Sequence, residues 1–363
     1  MKKTITCFIK GNKLILLLIL QPAVFLFVAC SDDNITNDNP GIPVITGISP
    51  QPAYIGDIVT IYGKGLGALS DSSYVYVNNM KKLSYDCISW DNGEIKFELP
   101  FGVSSGKIWI ETKKGKSNEF SFLLGAFPPI EMVSVLAGEF NMGSDIGFDD
   151  EKPVHKVVLT KGFDISKYEI LRTVWHAVVY PDSGTFIYRD LPANNMSWIS
   201  AVKFCNRISV LSGLDSCYIF NGGQVIWDKT ADGYRMPTEA EWEYACRAGT
   251  EGDFGGSGIP GEMAWYNGNS GLRCMPPGLK KPNAFGIYDM HGNLWEWCWD
   301  IYSKDYYTAS PAADPSGPTE GAARVLRGGS FVDGTLYLRS SNRATDLNEN
   351  TFTGIRVVRT KFE

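Results

Sequence analysis

The segment GAFPPI at residues 125–130 divides the chain into two parts that differ in pattern. Before it, short β-rich runs alternate with turns of glycine, asparagine and aspartate, whereas long loops, many tryptophans and only a few helical patterns follow it. Proline-bearing segments without hydrophobic periodicity are typical domain boundaries. At 363 residues the chain is long enough for two or three hydrophobic cores, so we expect separate folded domains on the two sides of this segment.

Residues 1–30 have the composition of a processing signal. Lysines precede the apolar run LILLLILQPAVFLFVA (14–29), which is too short to span a bilayer comfortably and ends in small residues before Cys30. The pattern resembles a bacterial lipoprotein signal, which implies that Cys30 is acylated and that its lipid anchors the protein to a membrane. An uncleaved membrane anchor is the alternative interpretation.

Residues 31–42 are polar, acidic and rich in turn formers, which predicts a flexible tether. Acidic residues directly after a lipidated cysteine resemble the surface-export signal of Bacteroidetes lipoproteins. This resemblance implies an outer membrane lipoprotein that is exposed at the cell surface.

The composition is that of a folded protein, with 44% hydrophobic and 20% charged residues. The formal net charge is -6 and no basic stripe occurs, so nucleic acid is not an expected partner. Six cysteines follow Cys30, an even number that permits disulfides in an exported chain, although buried thiols fit their scattered positions as well. No Cys-x-x-Cys pair occurs, so we expect no structural zinc site.

Residues 43–124 alternate apolar and polar positions with period two, which predicts a small antiparallel β-sandwich. The segments ISPQPAYIGDIVTIYGKGLG (48–67) and KSNEF (116–120), together with Pro100 and Gly106 between them, resemble an IPT/TIG domain, an immunoglobulin-like module. Such modules are usually spacers or binding arms, and we expect no chemistry here.

A helix with a clear start signal is predicted for PTEAEWEYACRAG (237–249). Thr238 and Glu241 have the spacing of a capping box, and Gly249 can end the helix. Two more glutamates, Glu239 and Glu243, are expected to serve the helix dipole in the first turns rather than to form a catalytic carboxylate pair.

Two other segments have readable periodicity. SAVKFCNRISVLSG (200–213) predicts an amphipathic helix that ends at a glycine. GIRVVRT (354–360) predicts a closing strand, with Ile355 and Val357 facing inward and Arg356 facing outward.

The second part of the chain carries six motifs that together resemble the formylglycine-generating-enzyme, or sulfatase-modifying-factor, family. They are GEFNMGS (138–144), EKPVHKV (151–157), YRMPTEAEWEYACRAGT (234–250), PNAFGIYDMHGNLWEWCWD (282–300), RVLRGGS (324–330) and GIRVV (354–358). The resemblance covers about residues 130–360. It implies an α+β fold that is a variant of the C-type lectin architecture, with few regular elements and much packed loop.

The enzymes of this family carry two cysteines just after the Arg-Gly-Gly-Ser turn, where they bind copper(I) and oxidise a substrate cysteine. In this chain the segment reads FVDGTLYLRSSNR, with Asp333 near the place of the first thiol and no cysteine anywhere after Cys298. A carboxylate cannot replace a thiolate that holds copper(I), because copper(I) needs soft sulfur ligands. We therefore expect no copper site and no formylglycine generation.

Other catalytic chemistries have little support in the sequence. Some relatives use iron held by histidines, but His155, His176 and His291 lie at no metal-ligand spacing, so we expect packing or hydrogen-bonding roles and no iron site. Ser330 has no nucleophile elbow around it and is expected to form a turn.

A calcium site is the one family site whose residues match. In the family the segment DMHGNLWE (289–296) binds structural calcium, and the resemblance implies Asp289, Glu296 and the carbonyl oxygens of Gly292 and Leu294 as ligands. Hard oxygen donors on a tight loop suit this ion. A metal-free hydrogen-bonded loop is the alternative.

These observations predict a surface lipoprotein whose catalytically degenerate domain binds a glycan or protein ligand or takes part in envelope assembly. Lectin-like folds present ligands to variable loops on a rigid frame. The candidate ligand-binding residues are Asp333, Tyr337, Asn348 and Asn350, in two polar loops. Two alternatives remain: a structural lipoprotein that resembles those of gliding or secretion assemblies, and an enzyme of unrecognised chemistry in the remodelled pocket.

Overall fold

The protein is represented by a computed structural model that describes residues 41–54, 56–68, 72–78, 80–83, 87–99, 103–179, 190–346 and 352–362. The signal segment, the tether and Cys30 lie outside these residues, as do Asn348 and Asn350. Among the described residues, no helix has the length and apolar character needed to cross a membrane.

The N-terminal domain consists of two antiparallel sheets. Its strands are β1 (Val44–Ser49), β2 (Ile58–Lys64), β3 (Tyr74–Val77), β4 (Met80–Leu83), β5 (Ser89–Trp90), β6 (Glu94–Glu98), β7 (Gly106–Thr112), β8 (Gly115–Lys116) and β9 (Phe120–Phe122). One sheet has the order β1-β2-β6-β5, and the other has the order β4-β3-β7-β8 with β9 paired to β7.

The period-two pattern of the sequence places the core of this domain between its sheets. Ile95 and Phe97 of β6 are fully buried and alternate with partly exposed residues, as do Ile108 and Ile110 of β7. Because successive side chains of a strand point to opposite faces, each sheet contributes one apolar face to a common core. The antiparallel sandwich predicted for residues 43–124 is confirmed.

The C-terminal domain has short elements joined by long loops. Its strands are β10 (Met132–Val135), β11 (Gly138–Met142), β12 (His155–Leu159), β13 (Phe163–Ser166), β14 (Tyr218–Asn221), β15 (Gln224–Trp227), β16 (Trp295–Ile301), β17 (Arg324–Arg327), β18 (Ala344–Asp346), β19 (Thr353–Gly354) and β20 (Val358–Thr360). Its α-helices are α1 (Arg172–Val179), α2 (Trp198–Leu211), α3 (Glu239–Arg247) and α4 (Pro260–Met263). Single 3₁₀ turns occur at Asp149–Glu151, Tyr306–Thr308 and Thr335–Leu338.

The sheet β18-β17-β16-β19 separates two hydrophobic clusters. Trp297 and Leu326 pack into the cluster that contains α1 and α2, whereas Cys298 and Val325 pack into the cluster that contains α3. Neighbouring residues of a strand alternate between faces, so this sheet is covered on both sides. In the run WEWCWD (295–300) the tryptophans therefore lie on one face, and Glu296, Cys298 and Asp300 are buried on the other.

The predicted capping box of α3 is confirmed. The Thr238 hydroxyl accepts the backbone N–H of Glu241, and the Glu241 carboxylate accepts the N–H of Thr238 at 2.9 Å. The helix ends at Arg247, and Ala248 and Gly249 follow with φ of 47° and 86°. The helix predicted at 200–213 is α2, which begins two residues earlier behind the cap residue Ser197.

The prediction for the last strand was correct for its apolar residues and wrong for its arginine. Ile355 and Val357 are buried as expected, but Arg356 is fully buried as well. Its guanidinium binds the carboxylate of Glu296 with two distances of 2.7 Å. Alternation fails here because the segment before β20 is not a regular strand, and because a buried glutamate supplies the charge partner that the sequence pattern does not reveal.

Candidate functional site

The Arg-Gly-Gly-Ser turn forms where β17 ends at Arg327. Gly328 and Gly329 adopt φ of 95° and 74°, a left-handed conformation that favours glycine. A Cβ atom on Gly329 would lie 2.9 Å from the carbonyl oxygen of Tyr337, so the following loop packs directly on the turn. The two glycines of the motif therefore allow the loop 330–338 to pack closely against the turn.

Asp333, near the position of the first family thiol, closes this turn. Its Oδ2 atom accepts the Ser330 backbone N–H at 2.9 Å, the Ser330 hydroxyl at 2.6 Å and the Trp295 indole N–H at 2.9 Å. Its carbonyl oxygen also accepts the N–H of Asn267. The side chain has become part of the loop, and Ser330 has the turn-forming role that was predicted.

Four of the five described thiols of this domain are buried, and that of Cys274 is partly buried. Arg327 acts electrostatically on the thiols of Cys246 and Cys298, and both thiols are fully buried. Burial raises the pKa of Cys246 to about 12 and that of Cys298 well above its usual value, so neither is a thiolate at neutral pH. The six described cysteines form no disulfide.

The histidines do not converge on one point. Both ring nitrogens of His291 are engaged: Nδ1 lies 2.6 Å from the carbonyl oxygen of Leu338, and Nε2 accepts the N–H of Gly255 at 3.0 Å. Burial lowers the pKa of His291 to about 4, which keeps the ring neutral. His155 lies instead against Tyr307, and its Nδ1 is 3.1 Å from the carbonyl oxygen of Pro153. The predicted hydrogen-bonding and packing roles are confirmed for these two residues.

Charged pairs fill the space beneath the turn. Arg327 binds Glu243 and lies 3.5 Å from Glu239, and Arg343 binds both carboxylate oxygens of Glu239 at 2.7 and 2.9 Å. Arg247 binds the other oxygen of Glu243 at 2.7 Å. Burial would raise the pKa of Glu239, but Arg343 and Arg327 outweigh it and hold this pKa below its usual value.

These contacts correct the interpretation of the α3 glutamates. Glu239 and Glu243 were expected to interact with the helix dipole in the first turns, yet they are 1% and 0% exposed and act as anions for arginines. A similar pair joins Arg339 to Glu151, whose carboxylate also accepts the N–H of Phe148. Buried charges need partners, and long-range partners cannot be read from helical spacing.

Of the two carboxylates that the resemblance implies as calcium ligands, Asp289 fits this role in the structure and Glu296 does not. Oδ2 of Asp289 accepts the Gly278 N–H at 2.7 Å, while its buried Oδ1 has no hydrogen-bond partner among the described residues. An orphaned buried oxygen is what a cation would complete. Both oxygens of Glu296, in contrast, are bound by Arg356, and one also accepts the Trp242 indole N–H at 2.6 Å. Glu296 does not fit the role of a calcium ligand.

A third carboxylate, missed in the sequence, adds negative charge to this region. Glu169 is 2% exposed and accepts the Asn293 side-chain amide at 2.7 Å and the Leu294 N–H at 3.0 Å. Burial raises its pKa well above the usual value, and the charges of Asp289 and Glu296 raise it further. Within the described part of the chain, no three acidic, histidine or cysteine side chains have a metal-binding arrangement.

Tyr337 is the one candidate ligand-binding residue whose side chain is described and free at the surface. It is 45% exposed, and its ring lies 6.1 Å from that of Phe148. These two rings bring two segments together, and we call the exposed apolar residues of these segments, Ile146 and Phe148 in one and Leu336 and Tyr337 in the other, the Tyr337 patch. Asp333 was also predicted to bind a ligand, but its Oδ2 atom instead accepts the hydrogen bonds of the turn.

The described architecture is that of an α+β domain of the formylglycine-generating-enzyme fold, preceded by an immunoglobulin-like sandwich. Residues 125–361 match the sulfatase-modifying factor enzyme 1-like domain, and residues 43–123 match the IPT/TIG domain. The chain belongs to the sulfatase-modifying factor enzyme 1-like family.

Similar proteins include a chaperone protein and formylglycine-generating enzymes. The chaperone protein LppX of Paenibacillus barcinonensis is 30% identical over 243 residues, which are 57% of this chain and 83% of that protein. The formylglycine-generating enzyme of Streptomyces coelicolor is 44% identical over 115 residues, which are 28% of this chain and only 37% of the enzyme.

Solved structures are similar over most of the chain. Variable protein 1 of Treponema denticola has a TM-score of 0.57 at 27% identity and covers 68% of this chain and 96% of its own. PvdO of Pseudomonas aeruginosa has a TM-score of 0.52 at 26% identity and covers 64% of this chain and 95% of its own.

The pairs beneath the turn lead to a stability prediction. Glu243→Gln removes the shared anion of Arg327 and Arg247, and breaking a buried pair typically costs about 3–5 kcal/mol. We expect the free energy of unfolding in urea to fall by about that amount. The control is Glu139→Gln, which removes an exposed partner of Lys156 and should cost less than about 1 kcal/mol. Equal losses in the two variants would contradict this assignment.

Proposed function

We propose that this protein is a lipoprotein, anchored through Cys30 to the outer membrane and exposed at the cell surface, that binds a protein partner without changing it chemically. The observation that carries the proposal is the closed turn at Asp333. A carboxylate oxygen that accepts three hydrogen bonds stands near the place where the family's enzymes have a reactive thiol. The frame around the reaction centre is kept, whereas the group that reacts is replaced by one that stabilises the loop.

Two observations support a protein partner over the glycan alternative. The Tyr337 patch is apolar, with Ile146 87% and Leu336 52% exposed, and clusters of exposed apolar side chains are typical of protein interaction sites. The second is the similarity to LppX, a relative described as a chaperone protein, which this chain matches over 83% of that protein's length. Aromatic residues such as Tyr337 and Phe148 are enriched at such interfaces.

The proposal also includes a calcium ion at Asp289, with the carbonyl oxygens of Gly292 and Leu294 and without Glu296. Its support is the unpartnered buried Oδ1 atom of Asp289, in a region where burial raises the pKa of this carboxyl to about 6. A bound cation would offset the cost of burying this charge. The ion would have a structural role and would take part in no reaction.

The catalytic part of the proposal predicts an inactive domain. Purified protein incubated with a Cys-x-Pro-x-Arg peptide, with and without copper, should produce no formylglycine detectable by mass spectrometry. The physical reason is that no thiolate pair is available for copper(I) and the buried thiols are protonated. A formylglycine-generating enzyme assayed beside it provides the positive control, and an aldehyde product from this protein would overturn the proposal.

The calcium part predicts a melting response. EDTA should lower the melting temperature of the wild-type protein, because it removes an ion that binds only the folded state. Asp289→Ala should melt at the same temperature with and without EDTA. The exposed residue Asp305 provides the control, since Asp305→Ala should keep the full response. If wild-type melting is indifferent to EDTA, calcium has no place in this protein.

The binding part predicts a partner that depends on the Tyr337 patch. Cross-linking of the tagged full-length protein in its native host should recover an envelope protein. Leu336→Ser with Tyr337→Ser should reduce that recovery at least tenfold, because the patch loses its apolar contact area. Leu279→Ser, a substitution at an exposed leucine elsewhere, is the matched control. A glycan array run in parallel separates the classes of ligand: glycan binding without a protein partner would overturn this part.

A further inference from the structure

A second surface of the described C-terminal domain, separate from the Arg-Gly-Gly-Ser turn, contains a deep concavity. We call it the tryptophan groove: a cavity of about 1220 Å³ between residues 223–227 and 316–322, with Trp198, Trp299 and Arg324 in its wall. Arg324 begins β17, and the turn follows the other end of the same strand. The groove and the Arg-Gly-Gly-Ser turn therefore lie at opposite ends of β17.

One side of the groove is the edge of a strand. β15 pairs with β14 in a two-stranded sheet and has no other strand partner among the described residues. All five consecutive residues 223–227 line the groove. Alternate side chains of a strand point to opposite faces, so a continuous run of lining residues is expected when the strand presents its edge. An unpaired edge offers backbone N–H and C=O groups to an added strand.

The wall of the groove consists of packed aromatic rings. Trp299 stacks on Tyr218 at 5.1 Å between ring centroids, and it contacts Trp198 at 5.5 Å and Trp227 at 5.7 Å. The ring packing fixes the orientation of these side chains. At the rim, Ile226 is 44% exposed. A ligand that enters the groove therefore meets a rigid apolar surface.

Arg324 has no ion-pair partner among the described side chains. Its guanidinium lies 3.6 Å above the Trp198 ring and donates a hydrogen bond of 2.6 Å to the carbonyl oxygen of Trp299. None of the described carboxylate side chains lies within ion-pairing distance of it, whereas the fully buried arginines Arg327 and Arg356 each have a glutamate. Burial lowers the pKa of Arg324 to about 10, and the nearby charge of Asp300 offsets this effect only in part.

We propose that the tryptophan groove binds an extended polypeptide segment, which adds a strand to β15 and places a carboxylate on Arg324. This inference rests on the proposed function in that the partner is a protein, and it names the part of that partner that is bound. Strand addition supplies affinity through main-chain hydrogen bonds, and pockets beside the strand supply specificity. The planar guanidinium is suited to hold a carboxylate with two hydrogen bonds.

The strand edge favours a peptide over an acidic saccharide. Aromatic rings and an arginine would suit either ligand, but a row of main-chain donors and acceptors at strand spacing matches another backbone. The charged residues that line the groove are Lys229, Arg324 and the exposed Glu320, which leaves one positive charge in excess. That balance matches one acidic residue in a segment that is otherwise apolar and polar in alternation.

The test uses a fluorescein-labelled heptapeptide of alternating valine and threonine that carries one aspartate, titrated with the full-length protein and followed by anisotropy. We expect saturable binding. Replacing the aspartate by asparagine should weaken binding at least tenfold, because Arg324 loses its anion. Methylating alternate backbone nitrogens on the edge that pairs with β15 should abolish binding, since the side chains remain but the strand cannot be added.

Protein variants locate the site. Arg324→Gln should weaken binding of the aspartate peptide at least tenfold and leave binding of the asparagine peptide unchanged. Lys203→Gln is the matched control, because it removes one positive charge from an exposed residue of α2 outside the groove. If Arg324→Gln fails to fold, the paired peptides still test the proposal on the wild-type protein.

Each outcome decides between the alternatives. Any of three results would overturn the groove proposal: no peptide binding, equal binding of the N-methylated peptide, or binding of a glucuronate oligosaccharide in place of the peptide. Retained recovery of the envelope partner by Arg324→Gln, together with absence of peptide binding, would reject the groove and leave the proposed function standing. If cross-linking of the wild-type protein recovers no partner, the proposed function is rejected instead.

Discussion

Buried arginine–glutamate pairs hold this domain together. Glu151, Glu239 and Glu296 bind Arg339, Arg343 and Arg356, which are 188, 104 and 60 positions away in the chain. With few regular elements, the domain cannot rely on helix and sheet ladders to fix its loops. A buried charge is costly without its partner, so each pair permits one arrangement of two distant segments. We regard these pairs as the source of a unique loop packing rather than of a large net stability.

The same pairs explain how the frame of a reaction centre persists without its reacting groups. Glu243 and Glu239 form ion pairs with Arg327, and the two glycines after it adopt the backbone conformation that the turn requires. None of these contacts depends on a thiol. Asp333 then satisfies the donors that the turn presents, so the loop is complete as a structural unit. A scaffold of this kind keeps its shape without a thiol.

Much of the fold could be predicted from the sequence because its signals are local. The sandwich follows from period-two alternation, and α3 follows from the spacing of Thr238 and Glu241. The site was harder to predict. Arg356 has strand-like neighbours that suggest an outward side chain, and nothing within several residues indicates that Glu296 lies beside it. The same holds for Glu169, whose partners Asn293 and Leu294 are more than 120 positions away.

The sequence by itself determined the two-domain order, the family and the loss of the paired cysteines, because each of these depends on which residues are present and on their short-range spacing. Only the tertiary structure decided which charges are buried together, why Asp333 belongs to the turn, and that β15, which pairs only with β14 among the described residues, lines the same groove as Arg324. Those features depend on contacts between segments far apart in the chain, and a contact of that kind has no period or motif by which one sequence can reveal it.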